Sequence, residues 1–275
     1  MNRLNLAASW NSANAESDRD HGSASKTSNV VGSGFNGFDN LWETSSLQAQ
    51  TFFVPVHYEP NYAYPLIVWL HSDGFNEHQV CQVMPHISTR NYLATGLRAV
   101  KAADSVGHRF CWGTGVSAME TAEFNVLEAV RRAREQFSVH PDRIILAGYR
   151  EGGTMANQIA LRHPDRFAGV INLGGRFELP SAALASIETL KALRPRMLWQ
   201  HSLEAPYYDP VAMAEQIKLA TEIKARVDVR QYRNDDEMNT AVLSDLDRWV
   251  MDHVVNATTQ SSVLWDSSPT AFSDN

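Results

Sequence analysis

The sequence predicts an α/β protein with a mostly parallel central sheet that is covered by helices on both faces. Largely apolar runs such as Leu66–His71 and Arg143–Gly148 are typical of strands buried on both faces. Between these runs, apolar residues recur at helical spacing. Strands that alternate with helices in this way indicate a parallel sheet.

The first half of the predicted sheet begins with an edge strand. Residues Thr51–His57 have a strand pattern, and their proline favours an edge because it cannot donate a ladder hydrogen bond. After the buried strand at Leu66–His71, a long helix is expected to open with a capping box of Ser117 and Glu120. His140–Asp142 contains a proline and is predicted to break that helix. The apolar face of the helix is formed by Val126, Val130, Ala133 and Phe137.

The second half repeats the pattern. A helix over about residues 153–163 follows the strand at 143–148 and ends before a proline. Asp209 followed by Pro210 predicts the N-cap of a helix that runs to about Arg226. The final helix turns Val242, Leu246, Trp249, Val250 and His253 to one side. The remaining strands are predicted at Phe167–Leu173, Arg196–His201 and Val227–Tyr232.

The two ends of the chain differ in composition from the region between them. Residues 1–45 and 257–275 are rich in small polar residues and bury too little to offset the entropy of ordering. They are predicted to be a disordered leader and a disordered tail around one domain at 46–256. The net charge of −7, with no basic run, disfavours nucleic acid as a partner. No apolar run resembles a secretory signal or a membrane span, so a cytoplasmic location is expected.

Cysteine and histidine spacing gives no sign of a metal or cofactor. Cys81 and Cys111 are too few for a disulfide framework and lie in no metal-binding spacing. His71, Asp73 and His78 can be drawn as a cluster, but their spacing fits no known ligand motif. We therefore expect neither a metal nor a cofactor.

Three stretches resemble the α/β-hydrolase superfamily, in particular its phospholipase/carboxylesterase and polyhydroxybutyrate-depolymerase-like esterases. Pro65–Gly74 resembles the strand and loop that supply half of the oxyanion hole. Pro141–Ala156 resembles the strand, nucleophile elbow and helix of these enzymes, and Arg162–Val170 resembles the segment that follows. The resemblance covers roughly residues 50–255 and implies the α/β-hydrolase fold.

This chain departs from the resembling enzymes at every position of the catalytic triad. Arg150 stands in the place of the nucleophilic serine, and arginine has no lone pair with which to attack. Ala205 stands in the place of the acid, where Glu204 or Asp209 could substitute only with a shifted loop. Asp236 stands in the place of the histidine. The resemblance therefore implies that no member of the triad is retained.

These departures favour a catalytically inactive homologue, a pseudoenzyme that acts as a ligand-binding or protein-interaction module. The amides of an oxyanion hole would come from Ser72 or Asp73 and from Glu151, where carboxylates oppose a developing negative charge. We expect Arg150 to form an ion pair with Asp236 or to bind an anionic ligand. The candidate ligand-binding residues are Arg150, Glu151, Asp236, Ser72 and Asp73.

The alternative is a carboxylic-ester hydrolase that uses other residues. Ser72 lies at the correct strand end, but neighbours such as His71 and Ser72 point in opposite directions. The nearest downstream histidine, His253, falls in the final helix. By residue type, the candidate nucleophiles are Ser72, Ser117, Thr154, Cys81 and Cys111. The partner, a small molecule or another protein, is left open.

Overall fold

A computed structural model describes residues 49–184 and 186–257. The predicted leader and, apart from Ala257, the predicted tail lie outside the described residues. In the part described, the strands in chain order are β1 (Gln50–Phe53), β2 (Tyr64–Leu70), β3 (Leu93–Leu97), β4 (Lys101–Ala102), β5 (Phe110–Cys111), β6 (Val139–Tyr149), β7 (Gly169–Leu173), β8 (Arg196–Ser202) and β9 (Arg226–Tyr232).

Seven of these strands form one sheet in the order β1–β3–β2–β6–β7–β8–β9. All neighbouring pairs in it are parallel except β1 with β3, while β4 and β5 form a separate antiparallel pair. The helices of the same part are α1 (Gln79–Ile87), α2 (Val116–Gln136), α3 (Glu151–Arg162), α4 (Ser181–Leu184), α5 (Ile187–Leu193), α6 (Pro210–Glu222) and α7 (Thr240–Val250). A π-helical turn, Met251–Val255, extends α7.

The core consists of two apolar layers, one on each face of the sheet. Successive side chains of a strand point to opposite faces. In β2, Leu66 and Val68 pack in the layer that contains residues of α2, α3 and α6. Ile67 and Trp69 pack in the other layer, against α1 and α7. The mostly parallel sheet with helices on both faces, as predicted from the sequence, is confirmed.

The first strand lies at the edge of the sheet, as its proline predicts. It pairs only with β3 in the order of strands, and it does so antiparallel. The strand ends at Phe53, however, and the predicted extension to His57 is wrong. Pro55 cannot donate to a ladder, and His57 has a φ of 61°, which turns the chain out of the sheet.

The start and end of α2 both differ from the prediction. The helix begins directly after Gly115, whose φ is 94°, and no side chain caps it. Ser117 lies inside the first turn, so the predicted capping box with Glu120 is wrong. The helix already ends at Gln136, and His140–Asp142 belong to β6 instead of breaking the helix.

Helix α6 has the predicted start but a different end. The Asp209 carboxylate accepts a hydrogen bond from the Val211 amide at 2.9 Å, as expected of an N-cap. The helix ends at Glu222 and does not reach Arg226. Lys224 has a φ of 56°, and this left-handed residue turns the chain into β9.

Six of the described elements carry no prediction from the sequence. Helix α1 and strands β3, β4 and β5 lie between β2 and α2, and α4 and α5 lie between β7 and β8. In α1 the internal Pro85 obscures a helical period that is otherwise present, because prolines normally end helices. The buried residues at that period are Val80, Val83, Met84 and Ile87.

Candidate functional site

The loops that follow β2, β6, β7, β8 and β9 meet at one edge of the sheet. In a parallel sheet this is the edge where ligands bind. Hydrogen bonds between backbones tie these loops together: the Arg150 amide donates to Leu173, the Gly174 amide to Gln200, and the Leu203 amide to Tyr232, at 2.8–2.9 Å. The residues that replace the triad are therefore brought to a common rim.

The turn between β6 and α3 is the sharp elbow that the sequence predicts. Arg150 has φ 49° and ψ −113°, a region that costs a non-glycine residue free energy. A Cβ atom on Gly148 would collide with the backbone of Gly152, and one on Gly152 would collide with the carbonyl groups of Leu70 and His71. The two glycines thus permit the close approach of helix and strand that holds Arg150 above the sheet.

The Arg150 guanidinium lies against aromatic rings and not against a carboxylate. Its central carbon is 4.3 Å from the centre of the Tyr207 ring and 5.0 Å from that of Tyr149. Among the described residues it forms no ion pair, and its buried Nε atom has no hydrogen-bond partner. Burial lowers the pKa of Arg150, but Tyr149, Tyr207 and Glu237 outweigh it and raise the pKa above its ordinary value.

The predicted ion pair between Arg150 and Asp236 is wrong. One Asp236 carboxylate oxygen instead accepts hydrogen bonds from the Tyr149 hydroxyl at 3.3 Å and from the Met238 amide at 2.9 Å. The aspartate is held within its own loop and by the residue before Arg150. The ring of Tyr207 covers one face of the guanidinium. A carboxylate that paired directly with Arg150 would therefore have to approach the edge of the guanidinium.

Two residues of this site, Tyr207 and Glu237, were missed from the sequence. Glu237 is fully buried, and it accepts hydrogen bonds from the Ser202 amide at 2.9 Å and from the Tyr207 hydroxyl. Partial burial and this hydrogen bond raise the pKa of Tyr207. The adjacent acids Asp235, Asp236 and Glu237 were a sequence signal, but nothing in it distinguishes the buried one.

Comparison with known proteins agrees with this architecture. No family model matches the chain. NocK, named as an esterase, of Nocardia uniformis subsp. tsuyamanensis is 46% identical over 44 residues, which are 16% of this chain and 13% of NocK. The match therefore spans a small part of either protein.

Solved structures match over a far longer stretch. The Bacillus cereus carboxylesterase superposes with a TM-score of 0.58 and 11% identity, over 76% of this chain and 96% of the esterase. The chain has the α/β-hydrolase fold. FphF, a fluorophosphonate-binding serine hydrolase of Staphylococcus aureus, gives a TM-score of 0.56 and 14% identity, over 75% of this chain and 92% of FphF.

In this α/β-hydrolase fold, the amide expected to form half of the oxyanion hole is occupied. The Asp73 amide donates a hydrogen bond to the Glu151 carboxylate at 3.2 Å. The Asp73 carboxylate in turn accepts from the Trp112 amide at 2.8 Å. Burial raises the pKa of Asp73, and the nearby charge of Glu151 adds to this increase. The Glu151 carboxylate thus receives the amide that was expected to form half of an oxyanion hole.

The loop after β8 carries the residue that the resemblance assigns to the acid position of the triad. Ala205 is buried there, 5% exposed. Asp209 is committed to the N-cap of α6, and Glu204 is exposed to solvent. The side chain of Ser72, a predicted ligand-binding residue, is buried beside the loop that carries Asp73.

Two buried histidines lie near this edge, His71 with hydrogen bonds to the backbone and His201 with an Nε2 atom that has no hydrogen-bond partner. His71 is fully buried; its Nδ1 lies 2.7 Å from the Ser72 carbonyl oxygen, and its Nε2 accepts from the Ala99 amide at 3.0 Å. Burial lowers the pKa of His71. His201 is also buried, and burial lowers its pKa to about 4. Both imidazoles are therefore neutral at pH 7.

His253 lies at the other end of the sheet. It stacks on Trp249 with ring centres 5.4 Å apart, and its carbonyl oxygen accepts a hydrogen bond from Arg196, the first residue of β8. The carboxyl ends of the strands carry the site, so His253 is not positioned to act as its base.

The other candidate nucleophiles also have ordinary surroundings. The Thr154 hydroxyl donates to the Arg150 carbonyl oxygen at 3.3 Å, one turn into α3. Ser117 is exposed in the first turn of α2. Cys81 is exposed and Cys111 is half-buried, both as free thiols. A further serine, Ser202, was not considered from the sequence; its hydroxyl is buried without a partner.

The described residues contain no group of metal-binding side chains. His78 contacts the Thr51 hydroxyl at 3.1 Å, whereas His71 is bonded to the backbone of Ser72 and Ala99. In the same part of the chain, no helix is both long and apolar enough to cross a lipid bilayer.

Two surface cavities lie away from Arg150. One of about 320 Å³ is lined by residues at the starts of β8 and β9 and by Trp249 and His253. The other, of about 810 Å³, lies between α2 and the first part of β6. Neither is lined by Arg150.

Proposed function

We propose that this chain is a catalytically inactive α/β-hydrolase homologue whose former active site binds a ligand or a protein partner. The observation that carries the proposal is Arg150 at the tip of the elbow. Arginine stays protonated and only donates hydrogen bonds, so it cannot form an acyl-enzyme. Loss of the nucleophile alone costs on the order of a million-fold in turnover in a well-studied serine protease.

Two further features support the proposal. Ala205 and Asp236 leave the site without the acid and the base that activate a serine. The contact between Glu151 and the Asp73 amide places negative charge at the oxyanion position. An esterase that lacked only its nucleophile would retain this hole, and with it a residual rate enhancement over water.

The second candidate function is a carboxylic-ester hydrolase that uses non-standard residues. The names of the Bacillus cereus carboxylesterase and of NocK favour it. Ser202, whose buried hydroxyl has no partner, and Ser72 are the serines that such an enzyme could use at this edge. Either serine would need an imidazole as its base, and the Nε2 atom of the buried His201 has no hydrogen-bond partner.

Hydrolysis of 4-nitrophenyl acetate separates the two candidates. We expect the purified protein to release nitrophenol no faster than its Ser72→Ala and Ser202→Ala variants, since no serine is activated. Turnover that either substitution abolishes would contradict the proposal and establish the hydrolase. Arg150→Ala serves as the matched control at the elbow and is expected to leave the rate unchanged.

The cytoplasmic location stays a prediction from the sequence. So does the class of partner, a small molecule or another protein.

A further inference from the structure

We propose that Arg150 binds the carboxylate group of a small-molecule ligand through the terminal nitrogen atoms of its guanidinium. The inference rests on the proposed non-catalytic role of this site. It names the chemical class of the ligand, which the proposed function leaves open.

The acids around Arg150 are already committed to other donors. Glu237 accepts from Ser202 and Tyr207, and Asp236 accepts from Tyr149 and Met238. The Glu151 carboxylate is bonded to the amide of Asp73. These acids therefore offset the charge of Arg150 without direct contact, and no described carboxylate accepts a hydrogen bond from its N–H groups.

The guanidinium itself is incompletely hydrogen-bonded. Its Nε atom is buried and has no partner, and the Tyr207 hydroxyl is its one hydrogen-bonding neighbour among the described side chains. A guanidinium that stacks on aromatic rings uses its faces and keeps its in-plane donors for an acceptor. A planar carboxylate matches that edge with two parallel hydrogen bonds.

The surrounding charge favours a carboxylate over a phosphate. Glu151, Asp236 and Glu237 all contribute negative charge to the same rim, and repulsion grows with the charge of the ligand. A carboxylate carries a single negative charge and a phosphate about two near neutral pH. The aromatic rings of Tyr149 and Tyr207 also offer apolar surface to the rest of an organic acid.

The test is a titration of the full-length protein with acetate, benzoate and octanoate at constant ionic strength, followed by amide chemical shifts in the elbow. Benzamide, the neutral analogue of benzoate, and inorganic phosphate are titrated in parallel. We expect at least one acid to bind saturably, with benzamide and phosphate at least tenfold weaker. This comparison uses the wild-type protein alone and does not depend on the folding of a variant.

Two arginine variants then locate the site. Arg150→Gln is expected to weaken acid binding at least tenfold. Arg176→Gln removes an exposed arginine on the same rim, next to Gly175, which packs against the Arg150 carbonyl group, and is expected to leave binding unchanged. Thermal unfolding of both variants checks that they are folded.

Several outcomes would overturn this inference: no saturable binding of any acid, equal binding of benzamide and benzoate, tighter binding of phosphate, or full binding by folded Arg150→Gln. None of these outcomes produces ester turnover. Serine-dependent hydrolysis of 4-nitrophenyl acetate is the separate result that would refute the proposed function.

Discussion

At the scale of single residues, burial decides what the charged side chains of this protein can do. The Glu77 side chain is only 4% exposed, and each of its two carboxylate oxygens accepts a hydrogen bond from the Arg98 guanidinium. Burial raises the pKa of Glu77, but the hydrogen bonds from Arg98 outweigh it and lower the pKa below its ordinary value. The carboxylate is therefore ionised in the folded state; Arg98 is its main compensating charge, and the imidazole of His78 lies 3.5 Å away.

Removal of that arginine should destabilise the fold. We predict that Arg98→Met lowers the free energy of unfolding by about 3 kcal/mol, because it leaves an unpaired buried charge. Urea unfolding at pH 7 measures the change. The double variant Glu77→Gln/Arg98→Met is the control and should recover part of the loss. A single variant within about 0.5 kcal/mol of the wild type, the range of ordinary surface substitutions, would contradict the role given to this pair.

His201 should make stability depend on pH. Its folded pKa of about 4 lies below the ordinary 6.5, so the unfolded chain takes up a proton first as the pH falls. The stability that the neutral His201 preserves is therefore fully present above pH 6.5. As the pH falls towards 4, the free energy of unfolding decreases by up to about 3 kcal/mol because of this residue. Urea unfolding across this range should show a shallower decline for His201→Gln than for the wild type. Parallel curves would show that His201 is not buried as a neutral group.

The sequence predicts which loops carry Arg150, Ala205 and Asp236, whereas it does not predict their contacts. Arg150 was identified because the glycines of the elbow fix its place, and Ala205 and Asp236 followed from their positions after β8 and β9. The replacement of an ion pair by stacking on Tyr207 depends on how two loops meet in space. No local pattern in the sequence encodes that meeting.

At the scale of elements, the elbow depends on backbones that touch. Gly152 lies so close to the end of β2 that a Cβ atom would collide with the carbonyl groups of Leu70, the last residue of that strand, and of His71. Backbone in a central strand cannot move aside as a side chain can. The helix α3 and its arginine are therefore positioned by a glycine that itself carries no chemistry.

A pair of glycine substitutions tests this contact. We predict that Gly152→Ala lowers the free energy of unfolding by about 3 kcal/mol through overpacking. Gly107→Ala is the matched control: no atom lies near its Cβ position, and only its φ of +79° opposes alanine, at about 1 kcal/mol. Thermal or urea unfolding compares the two. Equal effects would mean that the elbow has more room than its geometry indicates.

The sequence predicted the central strands well, because continuous apolar runs report burial on both faces directly. It predicted boundaries poorly wherever a single residue with positive φ ends an element. Such residues lie after the end of β1 (His57), before the start of α2 (Gly115) and after the end of α6 (Lys224). Among residue types, only glycine makes a positive φ visible in the sequence. Helix α1 was not predicted because it contains Pro85, and a proline normally indicates the end of a helix.

At the scale of the whole molecule, the chain has the α/β-hydrolase fold, and the proposed function assigns it no hydrolase chemistry. The fold matches those of the Bacillus cereus carboxylesterase and of FphF over about three quarters of the chain. The rim that results carries an arginine between tyrosines, together with several acids that are bonded to other groups. In the proposed function, this rim holds a ligand in place and does not act as a nucleophile or a general base.

The central claim is that no nucleophile is activated at this rim. A fluorophosphonate probe tests it most directly, with intact-mass spectrometry of the native protein and FphF as the positive control. We predict no covalent adduct on this chain under conditions that label FphF completely. An adduct that maps to Ser72, Ser202 or any other serine, and that disappears when the protein is unfolded before labelling, would contradict the claim.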